Sequence, residues 1–337
     1  MIIVTRPDVT EEQIDHLLSQ IRVWGLKAEV SRGKMRTVIG VIGPEDRIRE
    51  RPIGAMPGVE SVMPVLKPYK LVSYEFRGQR SVVRVGQVAI GAGPVVVMAG
   101  PCAVEDEEQI VKIAQLVREA GAKVLRGGAF KPRTSPYSFQ GLGKIGLHLL
   151  AEARKQAGLP IITEVMDTKD LELVENYADC LQIGARNMQN FSLLREVGRS
   201  KVPVMLKRGM SASIKDLLMS AEYILNEGNF NVLLCERGIR TFESMTRNTL
   251  DLSAVPVLQA ETHLPVVVDP THGVGVRRFI PAMALAAVAA GADAIMMEVH
   301  HEPERAKCDG EQSLLPDEFA DLVRRIRDVA EAVGRSL

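Results

Sequence analysis

From Pro94 onward, short apolar runs rich in β-branched residues recur eight times, each separated from the next by about the length of a helix. The runs are PVVVMAG leading to Cys102, AKVLRGG with Arg126, PIITEV with Glu164, CLQIGARN with Arg186, PVMLKRG with Lys207, NVLLCERG with Glu236 and Arg237, PVVVDPTHG with Asp269 and His272, and DAIMMEVHH with Glu298. Segments of helical periodicity lie between them. The clearest are DEEQIVKIAQLVREAG, LGKIGLHLLAEARKQAG, SIKDLLMSAEYILNEG, RRFIPAMALAAVAAG and PDEFADLVRRIRDVAEAV, and several end in the glycine that commonly closes a helix. Eight such units predict an α/β fold, a closed (β/α)8 TIM barrel over residues 93–337. A doubly wound sheet is the alternative, but eight units favour closure. Nearly every run ends in a charged or metal-binding type of side chain. A parallel barrel gathers all strand C-termini around one mouth, so the pattern predicts a single cationic pocket with metal ligands.

Residues 1–67 follow a different order: strand, helix, strand, strand, helix, strand, in MIIVTR, EEQIDHLLSQIRVWG, KAEVSRG, MRTVIGVIG, PEDRIRERPIGA and VESVMPV. This is the ferredoxin-like α+β pattern. Ile14, Leu17, Leu18, Ile21 and Trp24 give the first helix one apolar face for the sheet. Such modules serve as effector-binding domains or as stabilising or oligomerising caps, and the fold does not choose between these roles. Residues 68–92 read as a linker followed by a hairpin, SVVRVGQVAIG, which turns at Gly86 and Gln87 and is placed to close the bottom of the barrel.

Charge and motifs narrow the function classes. Lys and Arg total 42 and so do Asp and Glu, so the 337-residue chain carries no general electrostatic footprint for nucleic acid. No apolar run approaches the length that spans a bilayer, and MIIVTRPDVT lacks the basic-then-apolar order of a secretory leader. A cytoplasmic protein without membrane contact is expected. Four cysteines without paired spacing do not form a disulfide framework. There is no GxxxxGK[ST] loop, and GVGVRR after His272 is misplaced for a dinucleotide fingerprint.

The loop KVLRGGAFKPRTSPYSFQG carries Arg126, Lys131 and Arg133 with hydroxyls at Thr134 and Ser135. Three neighbouring cations repel one another unless an anion sits among them. Taken alone, such a loop could be merely solvated. Arg186, Lys207 and Arg237, at three other strand ends, make six converging cations and imply substrates with several negative charges. Cys102, His272, Glu298 and Asp309 follow the first, seventh and eighth runs, which become neighbours on closure. Thiolate, imidazole and two carboxylates suit a divalent metal ion such as Mn, Fe, Co or Zn. Singly, a buried Cys is a small hydrophobe and a strand-end Glu an ion-pair partner, so only the shared location carries the metal reading. Cys180 and Cys235 read as core, His148 as packed or solvated, His263 as a loop residue, and Met296 and Met297 as barrel packing.

With AGPCAVE, LRGGAFKPRTSPYSFQG, QIGARNMQN, MLKRG, LCERGIRTF, DPTHGVG and EVHHEPERAKCDG in order, the chain resembles the 3-deoxy-D-arabino-heptulosonate 7-phosphate (DAHP) synthases from about residue 80 to its end. More narrowly, it resembles the subgroup with an N-terminal ferredoxin-like (ACT-like) regulatory domain, which would cover residues 1–67. The resemblance implies a transferase, 3-deoxy-7-phosphoheptulonate synthase, that condenses phosphoenolpyruvate with erythrose 4-phosphate at the head of the shikimate pathway. It further implies allosteric inhibition by tyrosine or phenylalanine bound to the N-terminal domain, and a homotetramer.

Roles carried over by the same resemblance give Arg126, Lys131 and Lys207 the phosphoenolpyruvate carboxylate and enol region, and Arg186, Arg237 and the Ala185 amide its phosphate. Arg133 and Thr134 would grip erythrose 4-phosphate, and Cys102, His272, Glu298 and Asp309 would bind the metal. Lys131 is the proton donor this implies for the nascent alkoxide. Two other readings are 3-deoxy-D-manno-octulosonate 8-phosphate synthase and a barrel serving mainly as an aromatic amino acid sensor. The first typically has KANRSS where this chain has KPRTS and usually lacks the N-terminal domain; the second would have shed ligands that are all present here. In EVHHEPERAKCDG, His301 stands where Pro is common and Cys308 where Ser is common. Cys308 reads as a spectator, with a second soft ligand or an oxidation site as the alternatives.

Overall fold

Residues 1–33, 36–43, 51–63, 68–133 and 135–337 are described in a computed structural model. They form two compact units, Met1–Arg80 with Glu261–His263, and Ser81–Ala260 with Leu264–Leu337.

In the first unit, strands β1 (Ile2–Thr5), β2 (Lys27–Arg32), β3 (Thr37–Ile42) and β4 (Val59–Met63) make an antiparallel sheet in the order β2-β3-β1-β4. Helix α1 (Glu11–Val23) begins at a Thr10–Gln13 capping box, in which each side chain satisfies the other's exposed backbone amide. Its Ile14, Leu17 and Ile21 are fully buried with Ile3, Ile39, Val41 and Val59, while Leu18 and Trp24 pack only at the margin. The apolar face is therefore narrower than the spacing suggests. Most of the second predicted helix, residues 44–50, lies outside the described residues, and its last three residues, Ile53–Ala55, form a 3-10 turn. Residues 68–80, placed by sequence in the linker, belong to this unit and contain the short helix α2 (Tyr74–Arg77), capped by Ser73. His263 joins it from far along the chain, with Nε2 donating to the Leu71 carbonyl at 2.8 Å. Burial, aided by Arg77 and Arg80, brings the His263 imidazole down to about 4, so it is neutral at pH 7.

The second unit opens with the hairpin β5 (Val83–Val85) and β6 (Val88–Ile90). Its two-residue turn places Gly86 at φ 55°, as a turn with glycine at the first central position requires. Eight parallel strands follow: β7 (Val96–Gly100), β8 (Val124–Arg126), β9 (Ile161–Glu164), β10 (Cys180–Ile183), β11 (Val204–Lys207), β12 (Val232–Glu236), β13 (Val266–Val268) and β14 (Ala294–Glu298). They close on themselves, with β14 pairing β7 from Ala294↔Val96 to Glu298↔Gly100. The doubly wound alternative is thereby excluded. All strand residues are buried, because helices cover the outside and side chains fill the inside.

Val83, Val85 and Ile90 of the hairpin share one core cluster with Val96, Met98, Val124, Ile162, Cys180, Met205, Leu233, Cys235, Val267, Ala294 and Met296. These are the inward-facing residues of the lower strands, so the hairpin plugs the N-terminal end of the barrel. Cys180 and Cys235 are core residues, as expected. Successive side chains of a strand alternate faces. Two residues beyond a core member, therefore, the next inward side chains are Arg126, Glu164, Gln182, Lys207, Arg237, Asp269 and Glu298. Among the described residues no helix is long and apolar enough to cross a membrane.

Candidate active site

Those upper side chains, with the βα loops, enclose a cavity of about 310 Å³. All six cations expected from sequence line it: Arg126, Lys131, Arg133, Arg186, Lys207 and Arg237, together with Ala185, His272 and Asp309. Thr134 lies outside the described residues. Cys102 and Glu298 are buried beside the cavity.

The cationic side is held by the barrel itself. Arg126 on β8 donates through one terminal nitrogen to the Pro101 carbonyl at 2.7 Å and to Glu298 Oε1 at 3.0 Å, while its buried Nε has no partner among the described residues. A buried donor left open costs stability unless a ligand fills it. Lys131 Nζ donates to the Cys102 carbonyl at 3.1 Å and contacts its Sγ at 3.0 Å. Burial would lower the Lys131 pKa, but the sulfurs of Cys102 and Cys308 and the Glu298 carboxylate raise it above the ordinary lysine value, so it stands as an ammonium. Lys207 Nζ pairs with Asp269 Oδ2. Arg237 is buried, with a 3.4 Å contact to the Gly238 carbonyl, and Arg186 is exposed at the rim. Gly184 has a steric reason. A Cβ there would fall 2.1 Å from Glu164 Oε1, and Glu164 is held in the cavity wall by Gln182 at 3.1 Å.

The expected metal ligands, joined by Cys308, fall into two groups whose donor atoms lie within 4.8 Å of one another: Cys102, Cys308 and Asp309, and His272, Glu298 and Asp309. Asp309 is the hinge between them. His272 sits in the short helix Pro270–Val274, whose N-cap is Asp269. Asp269 Oδ2 accepts from His272 Nδ1 at 2.7 Å, which leaves Nε2 as an acceptor facing Glu298 Oε1 at 3.3 Å. Burial lowers the His272 pKa despite both carboxylates. Burial alone would raise Glu298 and Asp269, yet Arg126 and Lys131 hold Glu298 down, and Lys207 with the two hydrogen bonds from His272 holds Asp269 down. Two acceptors facing each other in a buried site are reconciled by a cation, and a carboxylate behind the imidazole is the usual support of a metal-binding histidine. The residues therefore fit a divalent ion.

Several members of the site carry no role in the sequence reading. Arg247, Ser138 and Gln182 line the cavity. Gln312 donates to Glu298 Oε2 at 2.7 Å and accepts from Arg247 at 2.8 Å, bracing the carboxylate. Glu164, Gln182 and Asp269 were detectable, because each lies two residues after a core strand residue. Nothing local marks Arg247, which comes from an irregular loop. Glu236, by contrast, sits at a strand end yet faces away from the cavity and pairs with Arg208 at 2.8 Å. His148 is exposed and bonds Tyr177 Oη at 3.0 Å, clear of the site.

Comparison with known proteins shows the family. The chain is 50% identical over 334 residues to the phospho-2-dehydro-3-deoxyheptonate aldolase of Thermotoga maritima, covering 99% of each chain. A crystal structure of a Thermotoga maritima DAHP synthase aligns over 99% of this chain and 98% of its own, with 48% identity and a TM-score of 0.79. A 2-dehydro-3-deoxyphosphooctonate aldolase of Syntrophobacter fumaroxidans is 32% identical over 262 residues, covering 72% of this chain and 90% of that one. The DAHP synthase ferredoxin-like domain matches residues 1–67 and the DAHP synthetase I family matches residues 72–334, so the chain belongs to the DAHP synthetase I family.

Proposed function

We propose that this protein is a metal-dependent DAHP synthase, joining phosphoenolpyruvate to erythrose 4-phosphate with release of inorganic phosphate, as the first step of aromatic amino acid biosynthesis. The observation that carries the proposal is a cavity lined by six cations, with the Cys102, His272, Glu298 and Asp309 donor set in and beside its wall. One carboxylate and two phosphates supply the anions that such a cavity needs.

In this reading Arg126, Lys131 and Lys207 hold the phosphoenolpyruvate carboxylate and enol region. Arg186, Arg237 and the Ala185 amide hold its phosphate, and Arg133 with Thr134 holds erythrose 4-phosphate. Cys102, His272, Glu298 and Asp309 hold the divalent ion, which when bound supplies Lewis-acid polarisation of the aldehyde. C3 of phosphoenolpyruvate forms the new bond to the aldehyde carbon, and Lys131, already an ammonium, protonates the developing alkoxide. Water adds to the cationic C2, and the resulting phosphohemiketal breaks its C–O bond to release phosphate. Residues 1–67 form the regulatory part, binding tyrosine or phenylalanine, and the working assembly is a homotetramer.

Phosphate release is measured with phosphoenolpyruvate and either erythrose 4-phosphate or arabinose 5-phosphate, before and after a chelator, with and without tyrosine and phenylalanine. Chelator-sensitive turnover of erythrose 4-phosphate supports the proposal. Preference for arabinose 5-phosphate overturns it in favour of the octulosonate reading, which draws its support from relatives such as the one that is 32% identical. Inhibition that persists after residues 1–67 are deleted defeats the regulatory part, and a dimer or monomer by light scattering defeats the tetramer.

A further inference from the structure

We infer that Cys308 supplies a second thiolate to the metal site, so that this enzyme prefers thiophilic divalent ions such as zinc over manganese. The inference rests on the preceding reading that Cys102, His272, Glu298 and Asp309 hold the ion.

The sulfurs of Cys102 and Cys308 lie 3.1 Å apart, and Asp309 Oδ2 is 3.3 Å from the first and 3.6 Å from the second. Three donor atoms from two distant parts of the chain thus converge on one point, and this group joins the His272–Glu298 pair through Asp309. The convergence has a backbone cause. Successive side chains of an extended segment point to opposite sides. Asp309 has φ 50°, the one left-handed non-glycine residue among the described residues, and this turn lets Cys308 and Asp309 face the same point.

Charge and burial agree with ligation. A second thiolate adds a negative charge that must be offset, and each sulfur has its own cation: Lys131 Nζ lies 3.0 Å from Cys102 Sγ and an Arg133 terminal nitrogen 2.6 Å from Cys308 Sγ. Cys308 is 3% exposed and packs with Cys102, Ala103 and Phe139, so it sits inside the site wall. Soft sulfur ligands favour zinc over manganese, which prefers oxygen donors. A serine there would offer a hard oxygen instead.

The test loads full-length protein with Co(II) under a phosphine reductant, without oxygen, and records the near-ultraviolet thiolate-to-cobalt charge-transfer band. Cys308→Ser and Cys102→Ser are each expected to keep about half of the band and the double variant none, because each thiolate contributes its own transition. In competition titrations the preference for zinc over manganese falls about tenfold or more in Cys308→Ser, and equally in Cys308→Ala. Cys308→Ser with the full band, or with an unchanged zinc-to-manganese ratio, overturns the inference while leaving Cys102 as the ligand. Absence of the band in the unaltered protein overturns the underlying metal-site reading as well.

Discussion

The two ends of the barrel are built from the same strands and do opposite work. At the N-terminal end, Val96, Met98, Val124, Ile162, Cys180 and Met205 meet the hairpin residues Val83, Val85 and Ile90 in a core without a formal charge. One inward step higher, the same strands present Arg126, Glu164, Gln182 and Lys207, with Asp269 and Glu298 beside them. A buried apolar layer gains from the removal of water, whereas a buried charged layer must be neutralised by partners or by ligands. The mouth does both, through the Lys207–Asp269 and Arg126–Glu298 pairs and through donors, such as Arg126 Nε, left open for a ligand. Stability and chemistry are thus separated along the barrel axis.

Substitutions at the two ends test that separation. The largest effect is expected for Lys131→Met, which removes the proposed proton donor. It lowers kcat about 10²–10⁴-fold, the usual contribution of a positioned general acid, and also weakens phosphoenolpyruvate binding, since Lys131 lines the cavity. A variant that binds poorly but keeps its single-turnover rate would show Lys131 to be a binding residue only. At the opposite end, Met98→Ala opens a cavity in the fully buried core and costs about 2–5 kcal/mol of unfolding free energy while leaving kcat/KM unchanged. Loss of kcat/KM at temperatures where the variant is fully folded would break the comparison.

Asp269→Asn withdraws the carboxylate behind His272 and beside Lys207, and its effect is a loss of about 10–100-fold in metal affinity. Equal metal affinity in a direct titration refutes that supporting role. The smallest effect lies in neither end. His263 is held neutral in the first unit, with its folded pKa lowered to about 4 from an unfolded value of 6.5. Between those values the unfolded chain binds more protons, so stability is complete above pH 6.5 and falls as the solution is acidified toward pH 4. The loss is about 1.4 kcal/mol at about pH 5.5. The difference in unfolding free energy between unaltered protein and His263→Gln should follow this slope. A flat difference shifts the acid sensitivity of the protein to the mouth.

Much of this was legible in the sequence because a closed barrel converts strand ends into a ring. Knowing only that Arg126, Lys207, Arg237 and Glu298 end strands was enough to bring them together. What strand-end position could not supply was direction. Glu236 and Arg237 are adjacent, yet Glu236 pairs with Arg208 and only Arg237 lines the cavity. The alternation of core residues along β12, with Leu233 and Cys235 inside, decides the matter. Arg247 and Gln312 were not legible, since they come from an irregular loop and a short 3-10 turn whose paths depend on tertiary contacts. The Cys308–Asp309 turn was hidden for a related reason: a left-handed Asp309 has no local signature, so two neighbouring side chains reach one site without any pattern announcing it. In the first unit the sheet and the face of α1 followed from periodicity, while the burial of His263 depends on a segment almost two hundred residues distant, with |i−j| of 192 to its partner Leu71.

The two-residue step from core to mouth also limits how such an enzyme can change over time. Removing or adding one residue inside a strand would turn its catalytic side chain toward the covering helices and bring an apolar neighbour into the mouth, losing function and packing together. Length variation is thereby confined to the loops. The strands can drift in identity but not in count, and new specificity has to be written in loops such as 127–143 and 237–253, which follow the strand ends.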